Sequence, residues 1–198
     1  HECIVLEMGF YYPGEIQFLC EIAAPQVGIV TNIGTVHAER AGSQQMIANG
    51  KAELVQALPS TGVAILNYDD TLVRPMAEKT NARVLFYGLT PPAHLWADDI
   101  QGRGLQGITF DLHYEGKKFH IQAPLLGRHS VQTILRASAA GLALGMTWEE
   151  IIQGLQKGQT QLRLVTVRTE SGALILDDTY NATPESMIAA LGLLHELK

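Results

Sequence analysis

Short apolar runs alternate with amphipathic segments along the first half of the chain. The runs have the length and branched side chains of buried strands, and the segments between them place apolar residues at helical spacing. This alternation predicts an α/β fold, a three-layer, mostly parallel sheet flanked by helices and joined by right-handed crossovers. The predicted strands are 4–9, 26–34, 62–69 and 83–88, and the predicted helices are 15–23, 44–58 and 72–79.

The pattern changes after Gly88. Residues 108–123 alternate apolar and polar positions around Glu115-Gly116, which predicts an antiparallel hairpin at the edge of the sheet. An Ala-rich helix follows 127–130, and Thr147 with Glu150 forms a capping box for another helix. Two hairpin-like strands (164–168 and 173–178) and a helix opened by Thr183-Pro184 complete the chain. We therefore expect two domains, 1–160 and 161–198.

The segment 102–107 matches the glycine spacing GxGxxG of dinucleotide-binding sites. In those sites the glycines link a strand to a helix, whereas here they precede a strand of the predicted hairpin. We therefore reject a dinucleotide site.

Chemistry-bearing residues follow two of the predicted strands. Glu7 comes directly after an apolar run, and a buried carboxylate is costly unless it is paired or bound to a cation. His37 lies in the loop after the next strand, and Lys51 lies in the helix for which Ser43 is the expected N-cap. Taken singly, His37 is more often an ordinary loop histidine and Lys51 a solvated helix lysine. Together they favour a ligand site at the carboxyl ends of the strands.

Composition narrows the classes of function. The 198 residues carry a formal net charge of −6 without a cluster of Lys and Arg, which argues against a nucleic-acid partner. Cys3 and Cys20 are predicted to be small buried side chains, which suits a reducing cytoplasm. The sequence contains no apolar run of the roughly 20 residues that a membrane helix needs, so membrane insertion is not expected. Because His1-Glu2 leads directly into a predicted strand, we expect the chain to be a piece of a longer protein.

Seven sequence motifs, in this order, resemble the Mur ligase family over nearly the whole chain. They are LEMG, TNIGTVHAERAGS, GKAEL, LNYDD, GRHS, QLRL and DDTYNATPESM. The resemblance implies a P-loop NTPase-like central domain in 1–160, without its N-terminal P-loop portion, and the start of a C-terminal Rossmann-like ligase domain in 161–198. The P-loop pattern GxxxxGK[ST] does not occur in this sequence. We therefore expect this piece alone to be inactive.

The resemblance also implies roles for individual residues. Glu7 and His37 would bind Mg²⁺, with His37 also at the reaction centre, and Lys51 would be carbamylated by carbon dioxide. His129 would lie near the adenine of ATP, and the remaining positions expected at the nucleotide are Arg163 at the phosphates, Asp178 at the ribose hydroxyls and Asn181 at the base.

Some positions depart from the family pattern or are less distinctive. Ser130 and Thr133 stand where the family is expected to have asparagines that contact the base. Asp69 and Asp70 have only a weak claim as site residues, since a turn or cap role explains them equally well.

The implied activity is ATP-dependent amide-bond formation in peptidoglycan precursor synthesis. The resemblance is greatest to the members that join D-alanyl-D-alanine to UDP-N-acetylmuramoyl-tripeptide through an acyl phosphate, and a cytoplasmic monomer is expected. Alternatives within the fold are a MurE-like ligase, a folylpolyglutamate synthase and a MurT-like amidotransferase partner. An alternative of another class is a nucleotide-binding module without catalysis, which Ser130 and Thr133 would favour.

Overall fold

The computed structural model describes residues 1–34, 43–157, 165–179 and 184–197. The chain divides into two compact units, His1–Ala93 and His94–Lys198.

The first unit is built on three parallel strands, β1 (Val27–Val30), β2 (Val63–Asn67) and β3 (Arg83–Gly88), with β2 in the middle. Every residue of β2 is buried, as its continuous apolar run predicts for a strand covered on both faces. The predicted parallel sheet of this unit is confirmed, and the chain after β1 leaves the sheet at its carboxyl edge.

Two helices pack together beside this sheet, α1 (Glu15–Ala23) and α2 (Gln44–Gln56). The Ser43 hydroxyl accepts a hydrogen bond from the Met46 amide at 3.2 Å, which confirms the predicted N-cap. The N-terminus of α1 is capped differently, because the Glu53 carboxylate of α2 accepts from the amides of Gly14 at 2.7 Å and Gln17 at 3.0 Å. The core beneath these elements includes Val30, Ile47, Ala52, Val55, Leu66 and Met76.

The predicted helix at 72–79 is a shorter 3-10 helix, Arg74–Lys79. The Asp70 carboxylate forms a turn by accepting hydrogen bonds from the amides of Leu72 and Val73, at 2.8 and 3.1 Å. Pro75 has no backbone N–H, so it cannot donate the hydrogen bond that a helix starting at 72 would need from this position. These two features shorten the helix. The hydrogen bonds to Asp70 also confirm the turn role considered for it.

The strand predicted at 4–9 is wrong, because residues 1–10 form no regular secondary structure. The side chains of Ile4, Val5 and Leu6 are exposed, Val5 to 94%. An isolated strand has no hydrogen-bonding partner and no face to bury, and among the described residues no strand pairs with this segment. Cys3 is consequently exposed, contrary to prediction, whereas Cys20 is buried as predicted.

The second unit contains three antiparallel strands, β4 (Leu95–Gly102), β5 (Ile108–Tyr114) and β6 (Lys117–Ala123), with β5 in the middle. The predicted hairpin β5–β6 is confirmed, and its turn places Glu115 at φ 48° and Gly116 at φ 74°. Strand β4 was missed in the sequence. Its register shifts between Asp98 and Gln101, which interrupts the alternation of apolar and polar positions.

The glycines at 102–107 link β4 to β5 through a 3-10 turn, Gly104–Gln106. Gly107 has φ 95°, and an added Cβ would collide with the backbone of Ala123. This strand-to-strand connection confirms that the motif is not a dinucleotide site.

The rest of the second unit follows the predictions closely. The capping box is confirmed, because the Glu150 carboxylate accepts from the Thr147 amide at 2.8 Å and the Glu150 amide donates to the Thr147 hydroxyl at 3.3 Å. The predicted domain boundary at 160/161 stays a prediction, because 158–164 lie outside the described residues. The remaining elements are α3 (Ser130–Ala143), α4 (Trp148–Lys157), the antiparallel pair β7 (Val165–Arg168) and β8 (Leu174–Asp177), and α5 (Pro184–Glu196).

The buried carboxylate Asp111 on β5 makes stability depend on pH. It accepts a hydrogen bond from Lys118 Nζ at 2.7 Å and pairs with His120 Nδ1 at 2.8 Å. The bonds from Lys118 and His120 hold the pKa of Asp111 below its ordinary value. The pKa is lower in the folded chain than the value of about 3.9 expected in the unfolded chain, so this stabilisation is present above about pH 4 and is lost as pH falls through the folded pKa.

We therefore expect the urea midpoint of the wild type to fall more steeply below about pH 4 than that of Asp111→Asn. The exposed neighbour Asp99 provides a matched control, and Asp99→Asn should keep the wild-type slope. Identical acid slopes for Asp111→Asn and wild type would contradict the assignment.

Candidate functional site

Lys51 lies in the middle of α2 and is half-buried, so it is not an ordinary exposed helix lysine. Its Nζ donates a hydrogen bond to the main-chain carbonyl of Asn32, just beyond the end of β1, at 2.7 Å. This contact brings Lys51 to the carboxyl edge of the parallel sheet, where the sequence predicts the site.

The surroundings of Lys51 change its ionisation. Burial lowers the pKa of the Lys51 ammonium, and the negative charge of Asp70 partly opposes that shift. A lower pKa increases the fraction of neutral amine near neutral pH, and the neutral amine is the form that attacks carbon dioxide. The site therefore favours the chemistry that carbamylation needs.

Asp70 and Lys51 act on the same peptide unit. Asp70 Oδ2 accepts a hydrogen bond from the amide of Ile33 at 2.8 Å, while Lys51 holds the carbonyl of Asn32 on the other side of that peptide bond. The Tyr87 hydroxyl also donates to the carbonyl of Thr31 at 3.4 Å. The chain is thus fixed where it leaves β1.

Of the two predicted magnesium ligands, Glu7 alone lies among the described residues, so their juxtaposition stays a prediction. Glu7 is exposed on a segment without regular structure, so the expectation that it is a buried carboxylate at a strand end is wrong. His37 belongs to 35–42, outside the described residues. Within the described ranges no three side chains of His, Cys, Asp or Glu form a group that could hold a metal ion.

His129 stands at the start of α3 in the second unit. Gly127 has φ 80°, and a Cβ added there would meet Nδ1 and Cε1 of the His129 ring at 2.7 and 2.5 Å. Glycine therefore serves two purposes, the backbone conformation and the close approach of the ring. His129 as a whole is exposed, yet burial of its ring atoms lowers its pKa, and the charge of Asp178 opposes that shift.

Asp178 is partly buried just after β8, and its Oδ1 atom is inaccessible to solvent and has no hydrogen-bond partner among the described residues. An unsatisfied buried carboxylate oxygen is costly, which makes this atom a candidate acceptor for a ligand's hydrogen-bond donor. Its neighbour Asp177 differs, because Asp177 Oδ1 accepts from the amide and hydroxyl of Thr179 at 3.0 and 2.7 Å. These bonds hold the pKa of Asp177 below its ordinary value.

The two positions that depart from the family pattern are engaged locally. Ser130 is buried, and its hydroxyl donates to the carbonyl of Leu126 at 2.6 Å. Thr133 is exposed, and its hydroxyl accepts from Arg136 Nη2 at 2.8 Å. Arg163 and Asn181, the other predicted nucleotide contacts, lie outside the described residues.

Sequence reasoning missed the function of Asn32 in holding Lys51 and the long-range bond from Ile33 to Asp70. Lys51 contacts the main-chain carbonyl of Asn32, and because every residue type has this group, the sequence does not indicate the contact. The LNYDD segment supplied the only signal for Asp70, and that signal fits an ordinary turn equally well.

This fold is that of a ligase family. The model of the Mur ligase middle domain matches residues 1–141, and the chain belongs to the Mur ligase family. Among its relatives, the UDP-N-acetylmuramoyl-tripeptide–D-alanyl-D-alanine ligase of Mycobacterium tuberculosis is 35% identical, over 95% of this chain and 37% of the relative. The ligase of the same name from Bacillus subtilis is 34% identical, over 100% of this chain and 42% of the relative.

Solved structures give the same grouping. A crystal structure of MurF from Acinetobacter baumannii superposes with a TM-score of 0.89 at 31% identity, covering 98% of this chain and 42% of that one. MurF from Thermotoga maritima in complex with ADP superposes with a TM-score of 0.78 at 26% identity, covering 93% and 42%. The chain thus spans about two fifths of the length of these relatives.

No described helix is long and apolar enough to cross a membrane.

Proposed function

We propose that the chain is the central portion of an ATP-dependent ligase that adds D-alanyl-D-alanine to UDP-N-acetylmuramoyl-tripeptide. The observation that carries this proposal is the set of MurF-type relatives and structures that match 93 to 100% of the chain. The surroundings of Lys51, His129 and Asp178 also support it.

The reaction is activation of a carboxylate followed by amide formation. The terminal carboxylate of the tripeptide takes the γ-phosphoryl group of ATP, which releases ADP and gives an acyl phosphate. The amine of D-alanyl-D-alanine then attacks the acyl carbon, phosphate leaves, and the amine loses a proton. Stabilising the negative charge that spreads over the transferred phosphoryl group is the main task of the protein in such chemistry.

Lys51 would act as a carbamate beside the reacting phosphates. Its half-buried position, its lowered pKa and its bond to Asn32 support this role over that of a surface lysine. Carbamylation would turn a cation into a fixed anion at the carboxyl edge of the sheet. This anion would order the charged groups of the site.

The second unit would hold the adenosine moiety. The lowered pKa of His129 favours a neutral imidazole near neutral pH, and such a ring can stack on a base. The unsatisfied Oδ1 of Asp178 suits the hydroxyl donors of a ribose. ADP in the Thermotoga maritima MurF structure is consistent with this ligand class. Arg163 and Asn181 remain proposed contacts to phosphate and base.

Magnesium remains a proposal from the family resemblance, with Glu7 and His37 as its expected ligands. The described residues do not fit a metal site by themselves. We therefore assign no step of the reaction to the metal. The proposed protein acts in the cytoplasm as a monomer.

A nucleotide-binding module without catalysis is a second candidate, favoured by one observation. Ser130 and Thr133 have no side-chain amide to contact the base, and their hydroxyls form hydrogen bonds with Leu126 and Arg136 instead. Under this alternative the full-length protein binds ATP without turning it over.

The deciding experiment is an assay of phosphate release by the full-length protein. We expect release that requires ATP, UDP-N-acetylmuramoyl-tripeptide and D-alanyl-D-alanine together, with the amide product identified by mass spectrometry. The 198-residue chain alone is the matched control and is expected to be inactive, because its sequence contains no GxxxxGK[ST] motif. Nucleotide binding by the full-length protein without phosphate release would support the second candidate instead.

A further inference from the structure

The peptide bond between Asn32 and Ile33 is held from both sides by side chains distant in sequence. Its carbonyl accepts from Lys51 Nζ at 2.7 Å, and its amide donates to Asp70 Oδ2 at 2.8 Å. Rotation of this peptide plane would break both bonds together, because the carbonyl and the amide turn as one rigid unit. Lys51 and Asp70 are therefore coupled through a single peptide.

We propose that Asp70 is a positioning residue for Lys51, acting through the Asn32–Ile33 peptide to fix the direction in which Lys51 Nζ points. The inference rests on the proposed function, in which carbamylated Lys51 takes part in ligation. It adds to that function a residue outside the predicted set of site residues.

The chemistry of carbamylation makes the direction of Nζ important. Neutral Nζ attacks the carbon of carbon dioxide, a nitrogen–carbon bond forms, one carbon–oxygen π pair moves to oxygen, and nitrogen releases a proton to solvent. The product retains one N–H group, which can donate to the carbonyl of Asn32 as the amine did. That bond sets the plane of the carbamate and aims its two oxygens.

The two oxygens of Asp70 have separate partners. Oδ1 accepts from Leu72 and Val73 within its own turn, and Oδ2 reaches across to Ile33. Asparagine at this position would keep a carbonyl oxygen for the turn and present an NH₂ group to the Ile33 amide. Asp70→Asn therefore removes the long-range bond while keeping the two local ones.

Asp69 offers a control for net charge, because it is adjacent to Asp70 and carries the same charge. Its carboxylate accepts from the Leu89 amide at 2.7 Å and the Thr90 hydroxyl at 3.0 Å, on the side of β3. Asp69→Asn changes the net charge equally and leaves the bond from Ile33 to Asp70 intact. A role of Asp70 confined to its turn predicts equal behaviour of the two variants.

The experiment compares Asp70→Asn and Asp69→Asn in the full-length protein. We expect Asp70→Asn to lower kcat about tenfold, the consequence of losing one positioning hydrogen bond, with KM for each substrate within about twofold of wild type. Asp69→Asn should keep the wild-type kcat. Amide hydrogen exchange of Ile33 should accelerate in Asp70→Asn alone, and with ¹³C-labelled carbon dioxide the carbamate resonance of that variant should shift or broaden.

The outcomes separate the inference from the proposed function. Equal kcat for the two variants in an active enzyme, or unchanged Ile33 exchange in Asp70→Asn, overturns the positioning role. Wild-type protein without ligation overturns the proposed function and, with it, the inference. If Asp70→Asn does not fold, Asp70→Ser replaces it in the test. The serine hydroxyl can still cap the turn but is too short to reach Ile33, so this variant should show the same loss of kcat.

Discussion

Replacing Lys51 by alanine in the full-length protein is expected to lower turnover by about 10²- to 10³-fold, the loss typical of removing a group that stabilises transition-state charge. Stability should change little by comparison, because the hydrogen bond of Lys51 goes to a main-chain carbonyl near the surface. Turnover is measured with and without acetate or formate, because a small carboxylate can occupy the space that the carbamate vacates and restore part of the activity.

Lys79→Ala provides the matched control in the same unit. Lys79 is exposed, and its Nζ donates to the side chain of Asn49 at 3.3 Å. Its replacement should stay within about 0.5 kcal/mol of wild type in stability and should not affect turnover. A Lys51→Ala variant as active as Lys79→Ala would reject the carbamate.

If Lys51→Ala is inactive and neither acetate nor formate restores activity, Lys51 could act either as a carbamate or through its ammonium. A crystal structure separates these two roles. A carbamate gives density for a carboxyl group on Nζ, whereas a lysine acting through its ammonium does not. Crystals grown above neutral pH are suited to this test, because acid releases the carbon dioxide.

Asp178→Asn is expected to raise KM for ATP by about 10- to 100-fold, the range that corresponds to losing a hydrogen bond to a charged group. The wild-type carboxylate can accept from two ribose hydroxyls, whereas the amide offers one acceptor and places a donor at the other position. Steady-state kinetics with ATP as the varied substrate provide the measurement. We also expect 2′-deoxy-ATP to have a higher KM than ATP in the wild type and a similar KM to ATP in the variant.

Asp177→Asn is the control, because Asp177 serves its own turn through Oδ1 and asparagine keeps that acceptor. Stability should also distinguish the pair. Within the described part of the chain the buried Oδ1 of Asp178 has no partner, so replacing the carboxylate should leave the free energy of unfolding unchanged or raise it. Equal KM values for Asp178→Asn and Asp177→Asn would contradict the ribose contact.

The features predicted correctly from sequence depend on local chemistry. Ser43 caps α2 through an amide three residues away, and Thr147 and Glu150 cap each other across the same spacing. The buried strand β2 could be predicted because a strand covered on both faces is a nearly continuous apolar run, as residues 63–66 are here. In each case the residues that determine the structure are close together in the sequence.

The features predicted wrongly depend on partners that the local sequence does not specify. Residues 4–9 have a strand-like composition, but a strand needs a neighbour, and no described strand pairs with them. Strand β4 escaped prediction because the register shift after Asp98 breaks its alternation. In the candidate site, the bond from Ile33 to Asp70 spans 37 positions of sequence, so the direction of the Asp70 side chain has no local signature.

The capping of α1 by Glu53 links the folding of two helices. Gly14 offers no side chain to close the first turn, so the amides of Gly14 and Gln17 find their acceptor only when α2 has formed and docked. A nine-residue helix is marginal by itself in water. We infer that α1 and α2 open and close as one cooperative unit, so that thermal fraying of α1 is transmitted to the turn of α2 that bears Lys51.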